Sequence, residues 1–524
     1  MSVQVNVWSA QQERWRDYYA RSIFNQMDIL TNLIIKKKDA PQSLEAHFDS
    51  IIMFVRQCLS LPDSEAGYKV IELVYNLHPL PIWWGKGMEW LLILEQIAQL
   101  AHQNSDYWHE AWSYLAQGSI QLVANDAEKV LKNSIKAKAV AKQHQIRFLL
   151  IKAEMLAFDA NTFLGKVNDP LASIVKLEEV IQKSRSVLGD KKADVLKCEL
   201  LLKKTDVLRR KGHQDIALSL INDIFSISKE SSVIEKSLLA ELHNRRGAVY
   251  WSMGNYGGAI ASLEKAIAIN KQGGNYISQI DSNGDLGLVY WSSGNYFQAE
   301  AVLQSSIRLA EDVKALWWQA IQTGNMGLVN FTRGKLFWAN MFMKRHLELS
   351  KLTNNIPEMQ RAIGNIAFLN IFLGKFKESS EDLLLDLEYS QRAEYHIVES
   401  IICSNLAWAL EGLGQVEKGL DYAHRALSIS ERYGSDQAEI VALRSLAETE
   451  KSVQQKAFYA EKALVLAKKK KRKLNEAGAL LTLAYTYENK SLHQEADSIL
   501  REMGASDWLH IEPFFDNIRL PLLL

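Results

Sequence analysis

The chain has 524 residues, of which 48% are hydrophobic and 23% are charged, the balance of an ordinary soluble globular protein. The 61 basic residues match the 61 acidic ones, which argues against a nucleic-acid binder because phosphate contacts need a basic surface. No apolar stretch approaches the roughly 18 residues of a membrane-spanning helix, and the first residues lack the pattern of a signal peptide. Cys58, Cys198 and Cys403 form no CxxC pair, so we expect reduced thiols in a cytoplasmic protein without a membrane partner.

Residues 1–110 are predicted to form an N-terminal helical region. An amphipathic helix begins at Leu44, and a tryptophan-rich stretch over residues 83–91 follows a Pro79-x-Pro81 break. These two segments resemble the helical segment that follows the nucleotide-binding module of STAND-class ATPases, although Ser50 stands where that family has asparagine. The chain contains no G-x-x-x-x-G-K-S/T phosphate loop. The resemblance therefore implies the arm of a STAND-like system without its ATPase.

Residues 111–236 are predicted to be degenerate helical repeats. Segments over residues 111–135 and 153–181 have the pattern of weak helical pairs, and Gly212 marks a further, weaker unit upstream of Gly254. The long spans between Pro170, Pro357 and Pro513 contain no other proline. Because proline costs about 3 kcal/mol inside a helix, these spans favour one helix after another.

A clear internal repeat lies within residues 237–500. Three landmarks recur at one constant offset: a small residue inside an apolar helix, a glycine that ends this helix, and a small residue where the next helix crosses it. These three sets of positions are Gly247, Gly287, Gly327, Ala367 and Ala407; Gly254, Gly294, Gly334, Gly374 and Gly414; and Ala259, Ala299, Ala339, Ser379 and Gly419.

This pattern resembles the tetratricopeptide repeat, in which G-x-x-Y is followed by G-x-Y-x-x-A-x-x-x-L-x-x-A, and residues 247–266 match nearly every landmark. The period of about 40 residues exceeds the usual period of about 34 residues, which implies longer helices or a longer connection. In this respect it is similar to the repeats in the sensor arms of MalT-like and AfsR-like regulators. The resemblance implies an all-α fold, a right-handed α-solenoid or tetratricopeptide superhelix that follows the N-terminal helical region.

The C-terminal repeats are less regular. The turn glycine is missing after Ala447, as is expected for units that cap a solenoid. The basic run from Lys468 to Lys473 has two interpretations. It is either a set of cations at a helix C-terminus beside a solvated connection, or a local patch for an acidic partner or a nucleic-acid backbone. Residues 501–524 are predicted to be a C-terminal tail.

No constellation of catalytic or metal-binding residues is visible in the sequence. The 12 histidines form no metal signature, and His109-Glu110 lacks the second histidine of a zinc-protease helix. There is no G-x-S-x-G motif and no local Cys/His signature. We therefore expect a protein that is not an enzyme and that needs neither a cofactor nor a metal.

The first helices of a tetratricopeptide superhelix line its concave side, where Asn325, Asn365 and Asn405 recur two residues before the small-residue landmark. Asparagine carries donors and an acceptor, so a column of it can pair with peptide backbone groups. The column resembles the asparagine ladder of peptide-sensing tetratricopeptide regulators. The alternative is that each asparagine bonds to the neighbouring helix and maintains the stacking of the repeats.

Aromatic residues accompany this column, and we predict a ligand-contacting surface that combines both sets: Asn325, Asn365, Asn405, Trp291, Phe331, Phe368 and Trp408. The first functional hypothesis is a scaffold that binds a protein or a peptide on the concave face. The alternative is the sensor arm of a STAND-type signalling or transcription-control system, which binds a small inducer. Its associated partner would be an ATPase, a protease or a transcription factor.

Overall fold

The computed structural model describes residues 45, 48–59, 64–124, 126–164, 166–231, 236–392, 395–511 and 519–522. The regular elements in these ranges are helices, with no strand. The all-α prediction is therefore confirmed. Of the N-terminal segment with the STAND resemblance, residues 44, 46 and 47 lie outside the described ranges.

The chain forms two compact units. Unit 1 comprises Met1–Met253 with Ala261–Gln279, and unit 2 comprises Gly254–Ile260 with Ile280–Leu524. The helices that lie entirely in unit 1 are α1 (Phe48–Leu59), α2 (Ser64–Leu77), α3 (Leu80–Trp83), α4 (Gly87–Gln103), α5 (Tyr107–Val123), α6 (Ala127–Gln143), α7 (Arg147–Phe163), α8 (Pro170–Lys183), α9 (Arg185–Leu188), α10 (Asp190–Arg210), α11 (Gln214–Ser231) and α12 (Lys236–Ser252).

Two helices, α13 (Tyr256–Gly273) and α14 (Tyr276–Ser292), contribute residues to both units. The helices that lie entirely in unit 2 are α15 (Tyr296–Asp312), α16 (Leu316–Thr332), α17 (Leu336–Leu352), α18 (Ile356–Phe372), α19 (Phe376–Arg392), α20 (His396–Gly412), α21 (Val416–Arg432), α22 (Asp436–Thr449), α23 (Val453–Lys469), α24 (Lys473–Thr486) and α25 (Lys490–Met503), followed by the 3-10 helix η1 (Ser506–His510).

The helices repeat with the spacing that the sequence indicates. The first helices of successive pairs, α14, α16, α18 and α20, begin at a constant offset from one another, and each spans 17 residues. The second helices α15, α17, α19 and α21 also span 17 residues. Two such helices alone fill the usual period of about 34 residues. The longer period therefore comes from longer helices, which short turns connect.

The turn glycines adopt the conformation that their positions require. Gly254, Gly294, Gly334, Gly374 and Gly414 have φ values between 71° and 83°, a left-handed region that is favourable for glycine at the end of a helix. Each one ends the first helix of its pair and allows the second helix to begin two residues later.

The small residues inside the helices permit close packing in unit 2. A Cβ atom on Gly287 would lie 2.7 Å from Leu303 Cγ, and one on Gly327 would lie 2.9 Å from Met343 Cγ. Ala299 and Ala339 are completely buried. Larger side chains at these positions would hold the paired helices apart.

Each unit has its own hydrophobic core. In unit 1 the largest core cluster joins α1, α2 and α4 around Trp84 and Trp90, which are completely buried. In unit 2 the largest cluster extends from α15 to the end of the chain and includes Trp508, Leu520 and Leu522. Within the described ranges, none of the helices has both the length and the apolar character needed to cross a bilayer.

Candidate functional site

The first helices of unit 2 share a row of aromatic side chains. Phe331 on α16 lies 5.2 Å from Phe368 and 5.3 Å from Phe372, both on α18, as measured between ring centroids. Phe372 in turn lies 5.9 Å from Trp408 on α20. These edge-to-face contacts are the favourable geometry for aromatic pairs. The four residues, called the aromatic row below, connect three successive repeats.

The aromatic row is covered by the end of the chain. The residues that follow α25, which are Ala505–Ile511 and Arg519–Leu522 in the described ranges, are called the C-terminal segment here. The Trp508 ring lies 5.7 Å from Phe331 and 5.0 Å from Phe372. Its indole nitrogen donates a hydrogen bond of 2.8 Å to the carbonyl oxygen of Thr332. The surface that the sequence analysis assigned to a ligand therefore already holds a part of the chain itself.

Further along this surface, Arg519 makes a dense set of polar contacts. Its two terminal nitrogens donate to both carboxylate oxygens of Glu411 on α20, each at 2.8 Å. One of them also donates to the backbone carbonyl of Glu448 on α22 at 2.7 Å. The guanidinium lies over the Trp408 ring, 5.3 Å from its centroid. Paired hydrogen bonds and a stacked face are the interactions that distinguish arginine from lysine.

A second arginine, Arg444 on α22, binds the backbone of the same segment. It donates to the carbonyl oxygens of Leu520 at 2.8 Å and Pro521 at 3.3 Å. It also donates to Asn475 on α24 at 2.9 Å. A Cβ atom on Gly478 would lie 2.4 Å from the Arg444 guanidinium carbon, so the glycine leaves the room that this side chain fills. Recognition of two consecutive carbonyls is independent of the side chains that the peptide carries.

The polar groups beneath the segment are buried. Arg444 is 1% exposed and Glu448 is 2% exposed, and the two are joined by a contact of 3.1 Å. Burial raises the pKa of the Glu448 carboxyl, while Arg444 and Arg519 oppose this shift. Two arginines and two glutamates thus balance one another, and of the four only Glu411 is partly exposed. Removing one partner from such a set leaves a buried charge uncompensated, which is strongly unfavourable.

The asparagine column is not an open ladder in the structure. Asn325 is 3% exposed, and its side-chain oxygen accepts a hydrogen bond of 2.9 Å from Arg361 on the next first helix, α18. Its amide donates to Gln322 at 3.3 Å. Arg361 is also paired with Glu358, whose carboxylate contacts the buried His346 at 2.9 Å. At Asn325 the geometry therefore matches the structural alternative, a link from repeat to repeat.

The other members of the predicted surface have different surroundings. Asn405 is 5% exposed, and its side-chain oxygen has no hydrogen-bond partner among the described residues. Asn365 is half-buried and is the accessible member of the column. Trp291 donates a hydrogen bond of 2.8 Å to the Thr332 hydroxyl, which joins α14 to α16. Whether the asparagines and aromatics contact a ligand stays a prediction.

Sequence reasoning missed the residues that fill this surface. Residues 501–524 were predicted only to be a C-terminal tail, and neither Arg444 nor Arg519 was singled out. Signals were present in both places. Arg444 interrupts the apolar run from Ile440 to Leu446 in α22, and a charged residue in such a run is almost never fully buried unless it is paired. Leu520 and Leu522 make the end of the chain more apolar than a solvated tail.

The basic run from Lys468 to Lys473 is partly neutralised by local acids. Lys468 is 3.0 Å from Glu495, Lys470 is paired with Asp436, and Lys473 is 3.9 Å from Glu476. The run includes the end of α23 and the turn to α24, where cations complement the helix dipole. These contacts favour the interpretation as a helix end with a solvated connection.

Unit 1 contains a separate cavity of about 830 Å³. Aromatic side chains from α2, α3, α5 and α7 form much of its wall: Tyr75, Trp83, Trp108, Trp112 and Phe148. Two ion pairs, Lys152 with Glu199 and Lys203 with Asp159, lie in the same wall. The volume and the mixture of aromatic and charged groups are typical of small-ligand sites, which span about 300–1,000 Å³.

Within the described ranges, no group of three or more histidine, cysteine, aspartate or glutamate side chains is arranged to hold a metal ion. The three cysteines are buried and free, and burial raises the pKa of Cys58 and Cys198 to about 11. Such thiols are poor nucleophiles because the thiolate is the reactive form.

The repeat pattern also matches a known protein family over part of the chain. A family model described as a tetratricopeptide repeat matches residues 238–312. No curated protein sequence matches the chain. The similar solved structures include a Rap protein complexed with competence and sporulation factor, with 13% identity over 60% of this chain and 90% of that one at a TM-score of 0.46.

Two further similar structures have lower TM-scores. Aspartyl phosphate phosphatase F from Bacillus subtilis has 13% identity over 74% of this chain and 93% of that one, with a TM-score of 0.36. The apo form of the quorum sensor NprR from B. thuringiensis has 16% identity over 74% of this chain and 97% of that one, with a TM-score of 0.38. The family match thus assigns a tetratricopeptide repeat to residues 238–312, within a chain built of regularly spaced helical pairs.

Proposed function

We propose that the protein binds an extended peptide or protein segment on the first-helix face of unit 2, the surface formed by α16, α18, α20, α22 and α24. The observation that carries this proposal is the C-terminal segment on that face. Arg444 donates hydrogen bonds to two of its carbonyls, and Glu411 and Trp408 contact its arginine. A surface that holds an extended piece of its own chain by backbone and side chain has the chemistry to hold a foreign one.

The geometry favours an extended ligand over a helical one. Arg519–Leu522 is not helical, and the carbonyls of Leu520 and Pro521 point to Arg444 rather than to a helical partner. A helix would use those carbonyls for its own hydrogen bonds. The aromatic row supplies apolar contact beside these polar groups, a combination that suits peptide recognition.

The test is a selection of phage-displayed random dodecapeptides on the full chain, followed by fluorescence anisotropy with the selected peptides. We expect enriched sequences, and we expect Asn365→Ala to weaken their binding about tenfold, because losing a hydrogen bond to peptide backbone costs about 1–3 kcal/mol. The matched control is Gln304→Ala, at an exposed position on the second helix α15, which should bind like the wild type.

Two results would refute the proposal. One is a selection that yields no peptide binding either to the chain or to its Arg519→Ala variant, in which the C-terminal segment is held less tightly. The other is a set of selected peptides that compete poorly with one another and bind unchanged to variants of Asn365 and Trp408 that remain folded by circular dichroism.

A second candidate function is favoured by the cavity of unit 1. In this alternative the protein is a regulatory arm of a STAND-like system, which binds a small amphipathic inducer among Trp108, Trp112 and Phe148. Its partner would then be an ATPase, a protease or a transcription factor. Titration with anilinonaphthalene sulfonate tests the cavity, because Trp112→Ala should reduce the fluorescence of the bound dye, whereas Trp338→Ala on α17 of unit 2 should not.

Both candidates describe a binding protein without catalytic activity, and both place it in the cytoplasm. The buried free cysteines fit a reducing compartment. An activity screen with general hydrolase and phosphatase substrates is the check on the first point, and any turnover that a single substitution in the chain abolishes would overturn it.

A further inference from the structure

The last described residues, Arg519–Leu522, are buried and hydrogen-bonded to the helices of unit 2. Leu520 and Leu522 are fully buried, and the Arg519 side chain is 4% exposed. They are separated from Trp508, the other anchor of the segment, by residues 512–518, which lie outside the described ranges. Trp508 follows α25 directly through η1. Two different anchors therefore hold the segment, one next to α25 and one at Arg519–Leu522.

The site beneath Arg519 selects for a guanidinium. Glu411 takes two parallel hydrogen bonds, the Glu448 carbonyl takes a third, and Trp408 offers an aromatic face. An ammonium is a point charge and cannot make the paired bonds and the stacking contact together. Specificity at this position therefore comes from the shape of the group as well as from its charge.

Without Arg519 the charges of the site do not balance. Among the described residues, Arg444 would then be the cation left beside Glu448 and Glu411, which leaves one net negative charge when both carboxyls are ionised. Burial already raises the pKa of Glu448, and an incoming cation stabilises its ionised form. The empty site is therefore complementary to a peptide that carries a positive charge.

We propose that Arg519–Leu522 is a resident, displaceable ligand of the first-helix face, and that the partner is an extended peptide with the same chemistry. Its recognition element is an arginine followed by apolar residues around a proline, as in Arg-Leu-Pro-Leu. This inference rests on the proposed function and adds the identity of the motif and its regulation. A tethered segment competes at an effective concentration on the order of millimolar, so it determines how tightly a partner peptide must bind in order to displace it.

The experiment uses the full chain and a fluorescent peptide with the sequence of residues 512–522. The wild type should bind it weakly because its own segment occupies the site. Arg519→Ala loosens the resident segment and leaves Glu411, Trp408 and Arg444 in place, so it should bind the peptide at least tenfold more tightly. Arg519→Lys keeps the charge without the paired bonds and should give an intermediate gain. The matched control is Arg501→Ala, at an exposed arginine of α25, which should bind like the wild type.

A second variant pair shows where the peptide binds. Adding Arg444→Met to Arg519→Ala removes the group that holds the two carbonyls and should abolish the gain. A peptide in which the arginine is replaced by alanine should bind Arg519→Ala no more tightly than it binds the wild type. Circular dichroism verifies that each variant is folded. If Arg519→Ala unfolds, the affinity of Arg519→Lys for the peptide is compared with that of the wild type instead.

Several outcomes would overturn the inference. One is equal affinity of the peptide for the wild type, Arg519→Lys and Arg519→Ala. Another is a gain in affinity of Arg519→Ala that persists when Arg444→Met is added. Dimers of the wild type in light scattering, with no binding of the peptide, would assign the site to the segment of a second copy. If phage-selected peptides of unrelated sequence bind the face while this peptide does not, the motif is wrong and the proposed function stands. If neither binds, both fail.

Discussion

At the scale of single residues, the small side chains of unit 2 are the most informative. Ala299 and Ala301 lie on the same helix, α15, but Ala299 is completely buried and Ala301 is exposed. A methyl group at the first position is enclosed by neighbouring helices, while the second faces solvent. The same substitution at these two positions therefore separates packing from helix propensity.

We expect Ala299→Leu to lower the free energy of unfolding by about 1–3 kcal/mol, because extra methylene groups overpack a filled crossing. Ala301→Leu should change it by less than about 0.5 kcal/mol, as is usual for surface substitutions. Urea unfolding of both variants checks this expectation. Equal stability of the two would show that the assigned register of α15 is wrong.

The turn glycines offer a second comparison. A Cβ atom on Gly414 would meet nothing within 4 Å, whereas one on Gly334 would lie 2.8 Å from the backbone nitrogen of Trp508. Both residues have positive φ, so an alanine at either position costs about 1–2 kcal/mol of backbone strain. Gly334→Ala should be the more destabilising of the two in thermal unfolding, because it also pushes away the C-terminal segment. An equal decrease in melting temperature for both variants would mean that Trp508 does not pack on this turn.

Asp386 on α19 predicts a dependence of stability on pH. Burial raises the pKa of its carboxyl to about 6 from 3.8. The folded state therefore binds the proton more strongly than the unfolded state, and this contribution to stability is complete below pH 3.8 and is lost as the pH rises through 6.

We expect Asp386→Asn to be more stable than the wild type at pH 7, by on the order of 2 kcal/mol, and to lose most of this advantage near pH 4. The matched control is Asp421→Asn, at an exposed position on α21, which should show no such dependence. Thermal unfolding at the two pH values measures the stability of the variant relative to the wild type. A stability difference that is the same at both pH values would contradict the buried position of the carboxyl.

At the scale of elements, the repeat helices followed from the sequence because their signals are local. A glycine with positive φ at Gly254 and Gly294, and small residues such as Ala299, each depend on neighbours within one repeat. The boundaries of the repeat units could be read from these positions alone. The additional length of the helices could not, because a longer connection would give the same period.

The contacts of the C-terminal segment could not be predicted because they join residues far apart in the sequence. Arg519 is 108 positions from Glu411, and Trp508 is 176 positions from Thr332. Neither pair has a spacing that sequence patterns reveal. Asn325 is a different case, because its contact with Arg361 in the next repeat is the repeat-to-repeat link that the sequence pattern left open as the alternative to a ligand ladder.

The C-terminal segment is expected to stabilise unit 2 through Trp508. Its side chain is 1% exposed, so Trp508→Ala should cost about 3–5 kcal/mol, the usual range for a buried tryptophan. Trp338 on α17 is 49% exposed and is the matched control, since Trp338→Ala removes the same side chain from a solvated position. Chemical unfolding measures the free energy of unfolding of both variants. A similar small decrease for both would show that Trp508 contributes little to the packing of unit 2.

At the scale of the whole molecule, the two units offer different kinds of surface. Unit 1 has a cavity with aromatic walls, and unit 2 has a long face that already holds an extended segment. The first suits a small ligand and the second suits a peptide. The chain carries no net charge, so attraction at long range is weak and recognition depends on local groups such as Glu411 and Arg444.

Hydrogen exchange of the full chain, measured with and without a selected peptide, tests the central claim most directly. We predict slower exchange in α18, α20 and α22 on addition of the peptide, together with faster exchange of the amides in Arg519–Leu522 as the resident segment leaves. Protection confined to α5, α7 and α10 around the cavity of unit 1, with no change in α18–α22 or at the end of the chain, would contradict the account.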